Sequence, residues 1–101
     1  MTQRNFLFLQ GPHGPFFRNL GRMLRKTGAQ VWRVGFNAGD AAFWGNDAGY
    51  IPFQAKPEQW PQTFSGLLHT LEITDIVLYG DTRPVHAEAV QQAKAAGLRI
   101  H

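Results

Sequence analysis

Phe6-Leu7-Phe8-Leu9, followed at once by Gln10-Gly11-Pro12-His13-Gly14-Pro15, is the stretch that decides the fold. An unbroken apolar run stopped by glycine and proline is the pattern of a strand buried on both faces, as in a parallel sheet. Pro15 suits the first turn of a helix, where a missing N–H costs nothing. From Pro15 to Thr27 the periodicity is helical. Phe16, Leu20, Met23 and Leu24 recur at three- and four-residue spacing, and Arg18, Arg22, Arg25 and Lys26 fall on the other side. Gly28 supplies the stop. Gln30-Val-Trp-Arg-Val34 then reads as a second strand. Strand, helix and strand within about thirty residues make a βαβ unit, which is right-handed and parallel.

Outward from this unit the pattern repeats with one interruption. Residues 35–50 are rich in glycine, Asn, Asp and aromatics and read as a long loop, with Trp44 and Tyr50 either buried or forming a stacking platform for a sugar or base. Tyr50-Ile-Pro-Phe53 reads as an edge segment, since Pro52 bars it from a central strand. Trp60, Phe64, Leu67, Leu68 and Leu71 mark a helix over 56–71, starting at Pro57. Asp75-Ile-Val-Leu-Tyr79 is a further strand, Val85 to Ala96 a third helix, and Gly97 its stop. Leu98-Arg-Ile-His101 begins another strand, so the chain reads as the first part of a larger protein. The expected fold is α/β and Rossmann-like: a mostly parallel four-stranded sheet with flanking helices, forming one N-terminal domain over residues 1–101.

Composition sets the bounds. At 101 residues, against about 150 per domain, one domain is expected. With 44% hydrophobic and 17% charged residues the chain is globular in type. No apolar window is long enough to span a bilayer, and Phe6 to Leu9 is too short for a signal peptide. The absence of cysteine excludes disulfides and thiolate metal sites and suits the cytosol. No His, Asp and Glu cluster has metal-ligand spacing, so no metal is expected. Net charge is +3, with four bases in the first helix. That face is either solvated surface or a contact for an anionic partner.

In open parallel sheets ligands bind beyond the carboxyl ends of the strands. Three segments have that position: Gln10-Gly-Pro-His-Gly14, Gly35-Phe-Asn-Ala-Gly-Asp40 and Gly80-Asp-Thr-Arg-Pro-Val-His86. Gly11 and Gly14 permit close backbone approach, and the helix that follows offers N–H groups to an anion. His13 is either a proton shuttle or a surface histidine in a tight turn. The first loop is neither a dinucleotide fingerprint nor a Walker motif. Asn37 and Asp40 are turn residues by default. Asp81 is either a general base or the cap of the helix that Pro84 opens. Arg83 suits a carboxylate or phosphate, and His86 lies one turn from Asp81. No Ser or Cys nucleophile has a place beside that pair. His69 on the second helix has no evident chemical partner.

The strings Phe6-Leu-Phe-Leu-Gln-Gly-Pro-His-Gly-Pro-Phe-Phe17, Val34-Gly-Phe-Asn-Ala-Gly-Asp40 and Asp75-Ile-Val-Leu-Tyr-Gly-Asp-Thr-Arg-Pro-Val-His86 resemble the start of the capsular polysaccharide biosynthesis and export proteins of Gram-negative bacteria, of the KpsS/LipB type. The resemblance covers nearly the whole chain, in order and with fitting spacing. It implies a cytoplasmic glycosyltransferase, peripheral to the inner membrane and built as two Rossmann-like halves (GT-B-like). Such a retaining β-Kdo transferase uses CMP-Kdo as donor substrate, needs no cofactor, and starts the capsule linker on a phosphatidylglycerol-type lipid acceptor. This chain would be most of the acceptor-side N-terminal half, inactive alone. Asp81 and His13 would be catalytic, and Gly11, Gly14, Asn37, Asp40, Arg83 and His86 would bind substrate. The implied partners are the lipid, the nucleotide sugar, other capsule assembly proteins and an anionic membrane surface, with no nucleic acid. A non-catalytic assembly or export module of the same machinery is the alternative.

Overall fold

The computed structural model describes residues 3–9, 16–36, 44, 49–78 and 84–101. Five strands form one parallel sheet: β1 (Asn5–Phe8), β2 (Gln30–Gly35), β3 (Tyr50–Pro52), β4 (Asp75–Val77) and β5 (Arg99–Ile100). Their order is β3-β2-β1-β4-β5, and every neighbouring pair is parallel. The α/β, Rossmann-like expectation therefore holds, with one strand more than the four expected. The addition is β3. Three residues ending in proline carry little strand signal, and the sheet accepts them because Pro52 lies on an edge strand.

β1 is central because its residues satisfy both faces at once. Leu7 and Leu9 point to a core with Val34, Trp60, Phe64, Ile76, Ala89 and Ala93. Phe6 and Phe8 point to a second core with Val31, Trp44 and Val77. This two-sided burial is why the strand reads as a continuous apolar run without alternation.

Among the described residues three helices cover the sheet: α1 (Phe16–Lys26), α2 (Trp60–Thr70) and α3 (Pro84–Ala95). A 3-10 turn at Pro57–Gln59 leads into α2, so the predicted helix start at Pro57 is a tighter turn than an α-helix. Leu20 and Leu24 of α1 pack on the core around Phe8. α2 and α3 cover the opposite face, where the fully buried Ala89 and Ala93 let α3 approach closely. The Gln92 side chain donates to the Pro61 carbonyl at 2.8 Å and ties these two helices together.

Two loop aromatics have defined roles. Trp44 is 1% exposed and meets Phe8 edge-on at 6.0 Å, so it is a core residue and not a stacking platform. Arg25 leaves the basic face: its guanidinium donates to the Val31 carbonyl at 2.7 Å and lies over the Trp44 ring. Tyr50 is half-buried, and its hydroxyl lies against Gly35, where a Cβ at that glycine would fall.

Helix ends follow backbone chemistry. Gly28 closes α1 with φ +93, and Gly97 closes α3 with φ +75. α2 closes instead through Glu72 at φ 52, with the Ile73 N–H donating to the Leu68 carbonyl. A residue with a Cβ pays a steric penalty in this left-handed region. Glu72→Gly is therefore expected to raise stability and Gly28→Ala to lower it, each by about 1 kcal/mol. Urea unfolding of the two variants checks the opposite signs.

Candidate functional site

Parallel pairing places the ends of β1, β2 and β4 on one edge of the sheet. Phe8 pairs with Arg33 on one side and Val77 on the other. The chain segments 10–15, 37–43 and 79–83 therefore leave neighbouring strands at the same carboxyl edge. From β1 the chain runs outward through β2 to β3, then returns to place β4 on the other side of β1. The gap between β1 and β4 is the topological switch point, where open α/β sheets form a ligand crevice. α1 follows β1 and α3 follows β4 in the chain, so both helices have their N-termini on the side of this edge. Such termini offer unpaired N–H groups and a favourable potential to phosphate or carboxylate.

One side of the crevice has an aromatic footing. Phe36 follows β2, Phe53 follows β3, and Trp60 opens α2. Their ring centroids are 5.1–6.1 Å apart in edge-to-face pairs. Trp60 also meets Phe64 at 5.3 Å. This wall fixes the exits of β2 and β3 by contacts between rings.

Of the expected site residues, His86 lies within the described structure. It occupies the first turn of α3 and is 2% exposed, so its imidazole is enclosed. Gly11, His13, Gly14, Asn37, Asp40, Asp81 and Arg83 lie outside the described residues. His69 is exposed on α2, beside a groove of about 470 Å³ between α2 and α3. That groove lies against the C-terminal turns of both helices, away from the carboxyl edge. Among the described residues no group of His, Cys, Asp and Glu is placed to hold a metal ion.

A polar constellation not legible in the sequence sits at the start of β4. Asp75 is fully buried. Its carboxylate accepts from Arg4 at 2.6 and 3.4 Å and from the Thr74 hydroxyl at 2.6 Å, and lies 2.8 Å from His101 Nε2. Burial pushes the Asp75 carboxyl up. Hydrogen bonds from Arg4, Thr74 and His101, with the Arg4 charge, outweigh burial and hold it down at about 2. Perturbed carboxylates often mark catalytic sites. Here the group is saturated with donors and lies at the amino end of its strand, opposite the loops. It is a clasp between the approach to β1, the start of β4 and the exit of β5. Its partners are 71, 1 and 26 residues away in sequence, and no local motif announces them.

The order β3-β2-β1-β4-β5, with every neighbouring pair parallel, defines a Rossmann-like domain. Comparison with known proteins then gives the kin. The chain is 34% identical over 100 residues to the capsule polysaccharide export protein KpsS of Escherichia coli, covering 99% of this chain and 25% of the relative. It is 36% identical over 89 residues to the capsule polysaccharide modification protein LipB of two Neisseria meningitidis strains, of serogroups A and B, covering 87% of this chain and 21% of each relative. No protein-family model matches. Over nearly all its length the chain is a homologue of capsule polysaccharide export and modification proteins of the KpsS/LipB type, and it spans about a quarter of the length of these curated relatives.

Because the folded carboxyl of Asp75 titrates below its ordinary value of 3.8, its contribution to stability is complete above that value and is lost as pH falls through about 2. Asp75→Asn is expected to lower stability at neutral pH by about 1–3 kcal/mol. The same change removes this increment of acid destabilisation. Urea unfolding from pH 7 to pH 2 on both proteins measures the two effects.

Proposed function

We propose that this chain is the acceptor-side domain of a glycosyltransferase that starts a capsule linker. The donor is CMP-Kdo, the acceptor a phosphatidylglycerol-type lipid, and the enzyme works at the inner membrane as a peripheral protein. The observations that support this reading are the ends of β1, β2 and β4 at one edge of a parallel sheet with its switch point between β1 and β4, and relatives that are capsule polysaccharide proteins. The relative named for modification favours an enzyme. Among the described residues no helix is long and apolar enough to cross a membrane.

In this reading an acceptor hydroxyl attacks the anomeric carbon of Kdo, the glycosyl–phosphate bond breaks, and CMP leaves with the bonding pair. Asp81 or His13 takes the proton of the hydroxyl. Gly11 and Gly14 let backbone N–H groups approach an anionic substrate group, and Arg83 pairs with phosphate or carboxylate. Asn37, Asp40 and His86 complete the wall of the crevice. The N-termini of α1 and α3 stabilise negative charge there without an added metal or cofactor.

A second reading rests on the word export in the name of the E. coli relative: a non-catalytic module that assembles the capsule machinery. Transfer assays on the full-length protein, with CMP-Kdo and a lipid acceptor, separate the two. Asp81→Ala and His13→Ala are each expected to lower the transfer rate by about 10²–10⁴-fold. Unchanged rates in both variants would remove the site assignment. Absence of transfer by the wild type with any lipid acceptor would favour the assembly role.

A further inference from the structure

The outer face of α1 carries a row of cations with one exposed apolar side chain beside it. Arg18, Arg22 and Lys26 follow one another at four-residue spacing, and α1 contains no acidic residue. Arg22 and Lys26 are exposed and Arg18 is half-buried. Met23 lies beside Lys26 at three-residue spacing and is 64% exposed, the one large hydrophobic side chain so exposed among the described residues. The neighbouring residues Asn19 and Thr27 are exposed, uncharged and small. Packing within this domain does not account for Met23. The inward side of the helix already meets the core through Leu20 and Leu24, and Arg25 has turned in toward Val31 and Trp44.

We infer that this face of α1 docks on an anionic lipid surface. The inference rests on the membrane-peripheral part of the function proposed above and names the surface that makes the contact. A convex row of cations with one flexible apolar side chain is what an interfacial helix presents. Long basic stems lie along the surface with their charges at the headgroups, and the thioether enters the acyl boundary. Three cations beside one methionine fall short of the apolar centre that a stable protein interface needs. Charge complementarity selects phosphatidylglycerol over zwitterionic lipid. Each cation at an anionic surface strengthens binding by about fivefold.

The test uses the full-length protein with vesicles of phosphatidylcholine alone and of phosphatidylcholine mixed with phosphatidylglycerol. Wild type is expected to sediment with the mixed vesicles and not with phosphatidylcholine, and to be released by salt. The double variant Arg22→Gln/Lys26→Gln is expected to bind the mixed vesicles roughly twenty- to thirtyfold more weakly. Met23→Trp, read as tryptophan fluorescence against wild type, is expected to add a blue-shifting component with the mixed vesicles. Equal binding by wild type and the double variant would overturn the inference, as would a Met23→Trp component that stays unshifted while the protein is vesicle-bound. Circular dichroism confirms that each variant is folded. Transfer to a short-chain soluble acceptor is read in parallel and is expected to be unchanged in the double variant. Loss of transfer by wild type there would count against the enzymatic reading and leave the vesicle result standing.

Discussion

Asp75 imposes the constraint on which the arrangement of the sheet depends. A carboxylate with no exposed surface must be surrounded by donors, and these come from three separate parts of the chain. Arg4 fixes the approach to the central strand, Thr74 the turn into β4, and His101 the exit of β5. Backbone bonds reinforce the same junction: the Asn5 N–H donates to the Thr74 hydroxyl and the His101 N–H to the Ile76 carbonyl. β1 and β4 are thereby held in a register that sets the two walls of the switch-point crevice. The ionic contacts have limited strength in themselves, because Arg4 and His101 are each half-exposed and compete with water. Their weight lies in satisfying the oxygens of a fully buried carboxylate.

The fold was legible wherever burial left a local trace. Phe6 to Leu9 announced the central strand because both of its faces are covered. The α1 periodicity and the stops at Gly28 and Gly97 marked helix boundaries through backbone geometry alone. β3 was harder to see, since three residues ending in Pro52 carry almost no periodicity and its pairing depends on β2 being there. Trp44 was ambiguous for a related reason. Its sequence neighbours are polar and glycine-rich, and the core that receives it is assembled from β1, β2 and α1. Arg25 read as one more surface base because nothing in its spacing shows that the Val31 carbonyl and an indole lie below it.

The site was legible at the level of topology. Glycine-containing segments after three strands had to emerge at one edge once those strands were parallel, and the sheet order puts two of them on either side of the switch point. His86, expected to bind substrate, is buried in the first turn of α3. The Asp75 cluster shows the opposite situation. Four residues with ordinary local surroundings combine across the chain, and the strongest displacement of a carboxylate among the described residues arises with no motif behind it.

The contact between Gly35 and Tyr50 bears on how such a domain can diverge. The ring on β3 fills the space that any side chain at the last residue of β2 would need. The two positions are therefore sterically coupled. A lineage that retains a bulky aromatic at residue 50 has one amino acid open to it at residue 35, and the ring must shrink before the backbone site can accept a larger neighbour. Substitutions here have a preferred order, and that order is set by steric exclusion beside the mouth of the crevice.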